Sequence, residues 1–199
     1  MMLKFILSAL LAAPLAGCFS PKIKEYSPRE YEEKFVKGRF YHMRLVQDNM
    51  FLLDLNRDKL PFEVKRFELV GRGLTHDLDK ITKKPDRHFE LFKYKLNEKN
   101  GIPNGRANIE ELMTVKADHY EKNRHHFEYH IKNREPLTGV DICEIISDIY
   151  AVKIEKKEPF PQTIKFVKNL AKKYQVSEAD EKNMLAVLNV LNDLRGKIN

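Results

Sequence analysis

Apolar residues recur at three- and four-residue spacing through most of the chain, whereas alternation with period two is rare. Spacing of this kind favours amphipathic helices that each bury one face. The tetrapeptide Ser27-Pro28-Arg29-Glu30 combines a capping serine, a proline at the first helical position and a glutamate three residues after the serine, which is typical of a helix start. We therefore predict an all-α fold, with about six or seven helices in a single domain over residues 28–199.

Caps, helix breakers and apolar periodicity also predict the approximate helix boundaries. The predicted helices span residues 28–55, 61–70, 86–98, 109–131, 138–153, 162–174 and 178–197. After the second helix, Gly71-Arg72-Gly73 is predicted to form a turn that leads into the pair His76-Asp77. The apolar rows of the last two helices predict core packing, although an oligomer or a partner could also use them, and the oligomeric state stays open.

The first twenty residues, MMLKFILSALLAAPLAGCFS, have the pattern of a secretory signal: a lysine, an apolar run and then small residues. The apolar run is shorter than the ~20 residues that span a bilayer. The ending LAGC, up to Cys18, resembles the lipobox of bacterial lipoproteins, in which the signal is cut before a cysteine that then carries lipid. The resemblance implies a signal peptide over residues 1–17, a lipid on Cys18 and a tether over residues 18–27. The protein would then be anchored by lipid to a membrane of the bacterial cell envelope, facing the periplasm or the cell exterior; an ordinary signal peptide or a chance apolar start are the alternatives.

The formal charge of +7 is spread along the chain among acidic residues, without a long basic run. This distribution gives no strong signal for nucleic-acid binding, although it would attract an anionic small molecule or a lipid surface. If Cys18 carries lipid, Cys143 has no partner for an internal disulfide. Its position on an apolar helical row predicts that it packs as a small hydrophobic residue.

Histidines are the residues that most suggest chemistry, and four of the seven lie within one short stretch. They are at positions 42, 76, 88, 119, 125, 126 and 130. If residues 109–131 form one helix, then His119, His126 and His130 share a face, and His125 points about a quarter turn aside. Imidazole is a common ligand of iron, manganese, nickel and zinc, and carboxylates complete such sites. His88 carries no strong signal and is interpreted as a surface or helix-start residue.

Two further candidate ligands lie on apolar helical rows. Asp148 is on a largely apolar helix, and a buried aspartate needs a partner, which could be a metal, an arginine or a helix N-terminus. His42 lies on the apolar row of the first helix, where a histidine taken alone is more often a core residue than a ligand. Together with His76-Asp77 and the histidine cluster, these residues come from four separate segments. We therefore predict a site for one or two divalent transition-metal ions, with Fe, Mn, Ni and Zn all open.

The order of these segments resembles that of a known superfamily. The segments read HMRLVQ from His42, RGLTHDLDK from Arg72, HYEKNRHHFEY from His119 and DICEIISDIYA from Asp141. In this order they resemble the HD superfamily of metal-dependent phosphohydrolases, and more closely an uncharacterised HD-like family of bacteria and phages. The chain departs from that family at Phe127 and Tyr129, among other positions, where the family has proline and histidine.

The resemblance implies roles for ten residues. It implies that one metal ion is bound by His42, His76, Asp77 and Asp148, and that a second could be bound by His119 with His125 or His126. It implies that Asp77 is also a proton acceptor and that Lys80 stabilises negative charge on the substrate. Arg72 and Arg124 could bind a substrate phosphate through bidentate hydrogen bonds, or could instead form structural salt bridges.

Three functional hypotheses follow. The first is an enzyme that hydrolyses a small phosphate ester with a metal-activated water. The second is a non-catalytic, metal-binding envelope lipoprotein that acts as a scaffold or partner-binding module. The third is a structural envelope protein whose histidines lie in the core or on the surface. The sequence does not identify the substrate.

Overall fold

The computed structural model describes residues 26–83, 85–105 and 108–197, and these residues are helical with no strand, as predicted. The helices are α1 (Pro28–Leu55), α2 (Glu68–Thr75), α3 (Asp79–Thr82), α4 (Pro85–Lys99), α5 (Ile109–Lys122), α6 (Phe127–Asn133), α7 (Gly139–Lys156), α8 (Phe160–Lys173) and α9 (Glu178–Gly196). The predicted signal peptide and Cys18 lie outside the described residues. Within the described part of the chain, no helix is both long and apolar enough to cross a membrane.

The hydrophobic core lies where α1, α7 and α9 pack together. Val46 from α1, Ile146 from α7 and Leu188 from α9 are fully buried there. Cys143 is also fully buried in this core, which confirms that it packs as a small hydrophobic residue. Burial raises the pKa of the Cys143 thiol, because the charged thiolate would be poorly solvated.

Two local features place α1 and α2 for the site described below. α1 begins with the predicted capping box: the Glu30 amide donates to Ser27 Oγ at 3.3 Å, and the Ser27 amide donates to Glu30 Oε2 at 2.8 Å. Gly73 on α2 lies against α1, since a Cβ atom there would be 2.9 Å from the Cβ of Met50. Glycine therefore lets the two helices approach closely, and this approach brings His76 near His42.

The segment before α2 differs from the prediction of a helix over residues 61–70. The helix begins at Glu68, directly after Phe67, which has the left-handed backbone conformation with φ 67°. Upstream, Leu60, Phe62 and Val64 each pack partly buried against the core. Burial of every second residue is typical of an extended backbone rather than of a helix. The predicted turn at residues 71–73 is also wrong, because those residues lie inside α2.

The predicted single helix over residues 109–131 is interrupted after Lys122. Asn123 has an extended backbone, and its side-chain amide donates to His119 O at 2.7 Å and to Asp79 Oδ2 at 3.0 Å. His130 Nε2 lies 2.7 Å from the carbonyl oxygen of Arg124. These hydrogen bonds of the Asn123 and His130 side chains hold residues 123–126 in a non-helical conformation. They outweigh the local preference of this segment for a continuous helix.

Candidate metal centre

The candidate centre is built around Asp77, which lies between α2 and α3 with a left-handed backbone of φ 58°. Aspartate tolerates this conformation better than most residues, and backbone strain of this kind occurs often at functional sites. The side chain is 1% exposed and faces histidines from α1, α2, α5 and the loop after α5. All seven residues that the sequence suggested as metal ligands lie in this one region of the fold.

One group of candidate ligands lies on the Oδ2 side of Asp77. His42 Nε2 is 3.0 Å from Asp148 Oδ1 and 3.9 Å from Asp77 Oδ2. His76 Nε2 is 3.7 Å from the same Asp77 oxygen. One ligand atom from each of His42, His76 and Asp148 lies within 4.8 Å of the others, so a single ion could contact all three.

A second group lies on the Oδ1 side of Asp77. His119 Nε2 and His125 Nε2 are 3.2 and 3.4 Å from Asp77 Oδ1. His126 Nε2 is 2.9 Å from His119 Nε2. These three histidines also have ligand atoms within 4.8 Å of one another. Asp77 thus lies between two possible ion positions and could contribute to both.

The remote ring nitrogens of four of these histidines each face a carboxylate. His42 Nδ1 is 2.9 Å from Glu155 Oε1, and His119 Nδ1 is 2.8 Å from Asp79 Oδ2. His76 Nδ1 and His125 Nδ1 lie 3.2 and 3.3 Å from the same oxygen, Glu144 Oε1. A carboxylate on Nδ1 favours the tautomer whose Nε2 is free to bind a metal, which is the usual arrangement around metal-bound histidines.

Unpaired buried atoms provide an independent test of whether these residues fit an ion. His76 Nε2, Asp77 Oδ1 and His125 Nε2 are fully buried, and none of them has a partner with hydrogen-bond geometry among the described residues. Asp77 Oδ1 has His119 Nε2 and His125 Nε2 only at ion-pair distance, 3.2 and 3.4 Å away. Leaving such groups unpaired is costly, and each of them belongs to one of the candidate ligand groups. A divalent cation would satisfy them, so the donor set fits a metal of the histidine- and carboxylate-binding class.

Lys80 is placed at the centre by one turn of α3. Its Nζ lies 2.5 Å from Asp77 Oδ2, and its side chain is 16% exposed. The ammonium group therefore faces both Asp77 and the adjacent open space, where a negatively charged ligand would lie. Burial acts to raise the pKa of the Asp77 carboxyl, but Lys80 and the surrounding histidines hold it well below its usual range.

Arg72 and Arg124 both bind carboxylates in the structure. Arg72 Nε donates to Glu144 Oε2 at 2.8 Å, and its Nη2 donates to Asp141 Oδ1 at 3.2 Å. Arg124 donates to both oxygens of Asp141, each at 3.0 Å, and also to Glu135. The sequence left two possibilities for these arginines, phosphate binding or a structural salt bridge, and the contacts in the structure are salt bridges. Arg72 holds Glu144, which in turn faces His76 and His125.

The histidines respond differently to the surrounding charges in the metal-free protein. Burial opposes protonation of His42, but its hydrogen bonds to Asp148 and Glu155 prevail and raise its pKa to about 9. His125 also has a pKa raised to about 9, because Asp77 and Glu144 outweigh its burial. Burial and the neighbouring His125 and His119 lower the pKa of His126 to about 2, so this ring is neutral.

Two other histidines are buried near the centre. His88, interpreted from the sequence as a surface or helix-start residue, lies near the start of α4 but is only 6% exposed, and its ring is 6.2 Å from that of His119. Its pKa is lowered to about 4 by burial and by the charge of His119. His130 does not extend the row of His119 and His126, because the helix breaks between them. Its ring instead contacts the carbonyl oxygens of Arg124 and Glu135.

The carboxylates behind the histidines are the functional residues that the sequence interpretation did not assign. Glu144 and Glu155 lie on α7, and Asp79 begins α3. A signal for Glu155 was present, since it lies seven residues after Asp148 and therefore on the same helical face. Glu144 lies four residues before Asp148 on that face. The sequence offered no comparable signal that Asp79 would face His119.

A groove beside the centre brings together charges of both signs. It has a volume of about 380 Å³, and its lining includes Arg39, Lys80 and His42 together with the carboxylates of Asp148 and Glu155. With ions bound beside Asp148, the positive charges of Lys80 and Arg39 would favour an anionic ligand in this groove.

Comparison with known proteins gives a family without an assigned activity. A family model described as "Family of unknown function (DUF5662)" matches residues 32–195, a range that contains every residue of the candidate centre. No curated protein and no solved structure matches the chain.

Proposed function

We propose that this chain, which belongs to the DUF5662 family, is a metal-dependent phosphohydrolase that cleaves a small phosphate ester. The observation that carries the proposal is the orientation of four histidines around Asp77. Their Nε2 atoms converge on the two candidate ion positions, and their Nδ1 atoms face Glu144, Glu155 and Asp79. The resemblance of the HD-containing segments to metal-dependent phosphohydrolases supports the same reaction class.

The chemistry needs a polarised water and a stabilised phosphate. Divalent ions bound at the centre would supply both, by lowering the pKa of a water and by neutralising phosphate oxygens. In hydrolysis the water oxygen forms a bond to phosphorus, and the bond from phosphorus to the ester oxygen breaks. One proton of the water passes to a base, for which Asp77 is the proposed acceptor, and is then passed on to the departing alcohol. The other proton stays on the phosphate product.

Lys80 is proposed to stabilise the negative charge on the phosphoryl group during the reaction. Its ammonium group is next to Asp77 and lines the groove beside the centre together with Arg39. Preorganised cations of this kind favour the transition state when they face the atoms on which charge develops. Arg72 and Arg124 are proposed to act through the carboxylates they hold. A direct role in phosphate binding would require them to leave Glu144 and Asp141.

The proposed location is the bacterial cell envelope, with a lipid on Cys18 as the anchor. The support is the signal pattern of the first twenty residues and the LAGC ending. Labelling cells with a palmitate analogue tests this proposal: label should enter the wild-type protein and not the Cys18→Ala variant. Label in neither protein would refute lipidation at this position.

The test of the proposed activity is a screen for phosphate-ester hydrolysis with protein purified without chelator. The protein is loaded separately with Mn²⁺, Fe²⁺, Ni²⁺ and Zn²⁺ and assayed on a panel of phosphate esters, beside Asp77→Asn. We expect turnover with at least one ion and a loss of at least about 100-fold in the variant. Stoichiometric metal without turnover of any ester would support the alternative, a non-catalytic metal-binding module. No bound metal would refute both.

A further inference from the structure

A second cavity adjoins the groove at the centre, and it has a different character. Its volume is about 290 Å³, and it shares Tyr120, His126, Asp148 and Val152 with the groove. Most of its wall is apolar and comes from α7 and α8, including Ile145, Ile149, Phe166 and Leu170, although Glu128, Lys153, Lys156 and Glu158 also line it. A molecule lying across the shared residues could therefore place a charged group in the groove and an apolar group against this wall.

Two stacked pairs of aromatic rings line this cavity. Tyr120 stacks on His126, with ring centroids 4.1 Å apart and an interplanar angle of 29°. Phe127 stacks on Tyr174, with ring centroids 4.8 Å apart and an interplanar angle of 17°. Both pairs line the cavity. Such walls favour a planar ring, because rings gain both apolar burial and stacking against aromatic side chains.

A buried hydroxyl in the same wall lacks a partner. Thr163 on α8 is 2% exposed, and its Oγ1 makes no hydrogen bond within the described part of the chain. Unpaired buried hydroxyls are uncommon, because their desolvation is not compensated. Since Thr163 lines the cavity, a polar atom on a bound ligand could supply the missing hydrogen bond.

We propose that the cavity lined by Phe166 and Thr163 binds a ring-bearing organic group of the phosphate ester, while the phosphate lies in the groove beside Lys80. The inference rests on the proposed function, because it identifies the class of ester: one whose alcohol carries an apolar ring with a hydrogen-bonding atom. Volume agrees with this class, since about 290 Å³ is near the lower limit of small-molecule sites. Esters of small, fully polar alcohols would leave the apolar wall unfilled.

The experiment measures binding rather than turnover, so that it does not depend on activity. The full chain loaded with Mn²⁺ is titrated calorimetrically with phenylphosphonate and with methylphosphonate, two non-hydrolysable probes that differ by the ring. We expect phenylphosphonate to bind at least about tenfold more tightly, as burial of one ring implies. Equal dissociation constants for the two probes would overturn the inference.

One variant and a matched control locate the effect. Phe166→Ala should reduce the preference for the phenyl probe to within about threefold. Phe51→Ala is the control, because both phenylalanines are 50% exposed and Phe51 lines neither the cavity nor the groove. The assignment of the ring to this cavity would be contradicted if both variants lost the preference for the phenyl probe equally. It would also be contradicted if neither variant lost it.

Thr163→Val tests the hydroxyl without changing the shape of the side chain. We expect 4-hydroxyphenylphosphonate to bind wild type about tenfold more tightly than phenylphosphonate, and Thr163→Val to remove that difference. The thermal midpoint of the ligand-free variant should not fall, because the lost hydroxyl has no hydrogen-bond partner among the described residues. If the hydroxyl on the probe gives no advantage in wild type, the role of Thr163 is refuted.

The outcomes separate this inference from the proposed function. If no phosphate ester is hydrolysed but the phenyl probe is preferred and Phe166→Ala removes that preference, the enzyme proposal fails and the ring-binding site stands. If esters are hydrolysed and the two probes bind equally, the enzyme proposal stands and the ring-binding site is refuted.

Discussion

Nε2 of His42 on α1 lies 3.0 Å from Oδ1 of Asp148 on α7. The opposite ring nitrogen of His42 faces Glu155, so this histidine is held between two carboxylates of one helix. The two helices also form much of the hydrophobic core, and their packing therefore fixes the distance between the two ligands. Core packing and the candidate metal site are thus parts of the same helix interface.

The first prediction concerns the number of ions. Wild-type protein should bind about two equivalents of Mn²⁺, because Asp77 separates two groups of ligand atoms. His42→Gln should remove one equivalent and His126→Gln the other, as measured by elemental analysis after dialysis. The exposed Asp86→Asn is the control and should retain both. Retention of two ions in each histidine variant would show that these groups are not the ligands.

The second prediction concerns Glu144, which orients two histidines without being a proposed ligand. Glu144→Gln should weaken metal binding by about 10- to 100-fold, the range found when such supporting carboxylates are removed. Competition with a chelator whose absorbance or fluorescence changes on metal binding measures the dissociation constant of the metal from the protein. Circular dichroism checks that the variant folds. Glu90→Gln on the exposed face of α4 should have no effect. An unchanged affinity in Glu144→Gln would contradict its positioning role.

The third prediction concerns pH and follows from the pKa values of His42 and His125, each raised from 6.5 to about 9. Because the folded state holds these protons more tightly than the unfolded state, the protonated histidines stabilise the fold fully below about pH 6.5. This contribution is lost as the pH rises through about 9. The thermal midpoint of metal-free protein should therefore fall over this window.

Metal binding should show the opposite dependence. An ion binds only neutral imidazole, so it must displace up to about two protons from these histidines. The affinity for Mn²⁺ should rise between pH 6.5 and 9, and His42→Gln should make both trends shallower. Scanning calorimetry with and without Mn²⁺ measures the two trends. A metal-free midpoint that rises across this window would refute the assignment.

The fourth prediction separates metal binding from catalysis at Lys80. Lys80→Met should reduce kcat by about 100- to 1,000-fold, as for other residues that stabilise transition-state charge. It should leave the metal affinity unchanged or higher, because the positive charge of Lys80 next to Asp77 repels a metal ion bound there. Lys37→Met, which changes an exposed lysine of α1, is the control. Loss of metal in Lys80→Met would indicate a structural role instead.

The all-α fold and most helices were predictable because their signals are local. The capping box at Ser27 and the apolar rows of α1 and α7 depend only on residues that are close together in the sequence. The predictions were wrong over residues 61–67 and 123–126, where contacts from distant parts of the chain determine the backbone. Asn123, for example, contacts Asp79, and this contact has no counterpart in local sequence.

The sequence by itself determined which residues could bind a metal, since imidazole and carboxylate groups are chemical properties of the chain. It placed His42, His119 and Asp148 on helices, as observed, but it also put His125 and His126 on a helix that the structure interrupts. Only the tertiary structure decided that Asp77 lies between two groups of histidines, that Glu144 and Glu155 support them, and that an apolar cavity adjoins the groove lined by Lys80. These features are distances between segments far apart in sequence, and helix packing fixes them rather than any local preference.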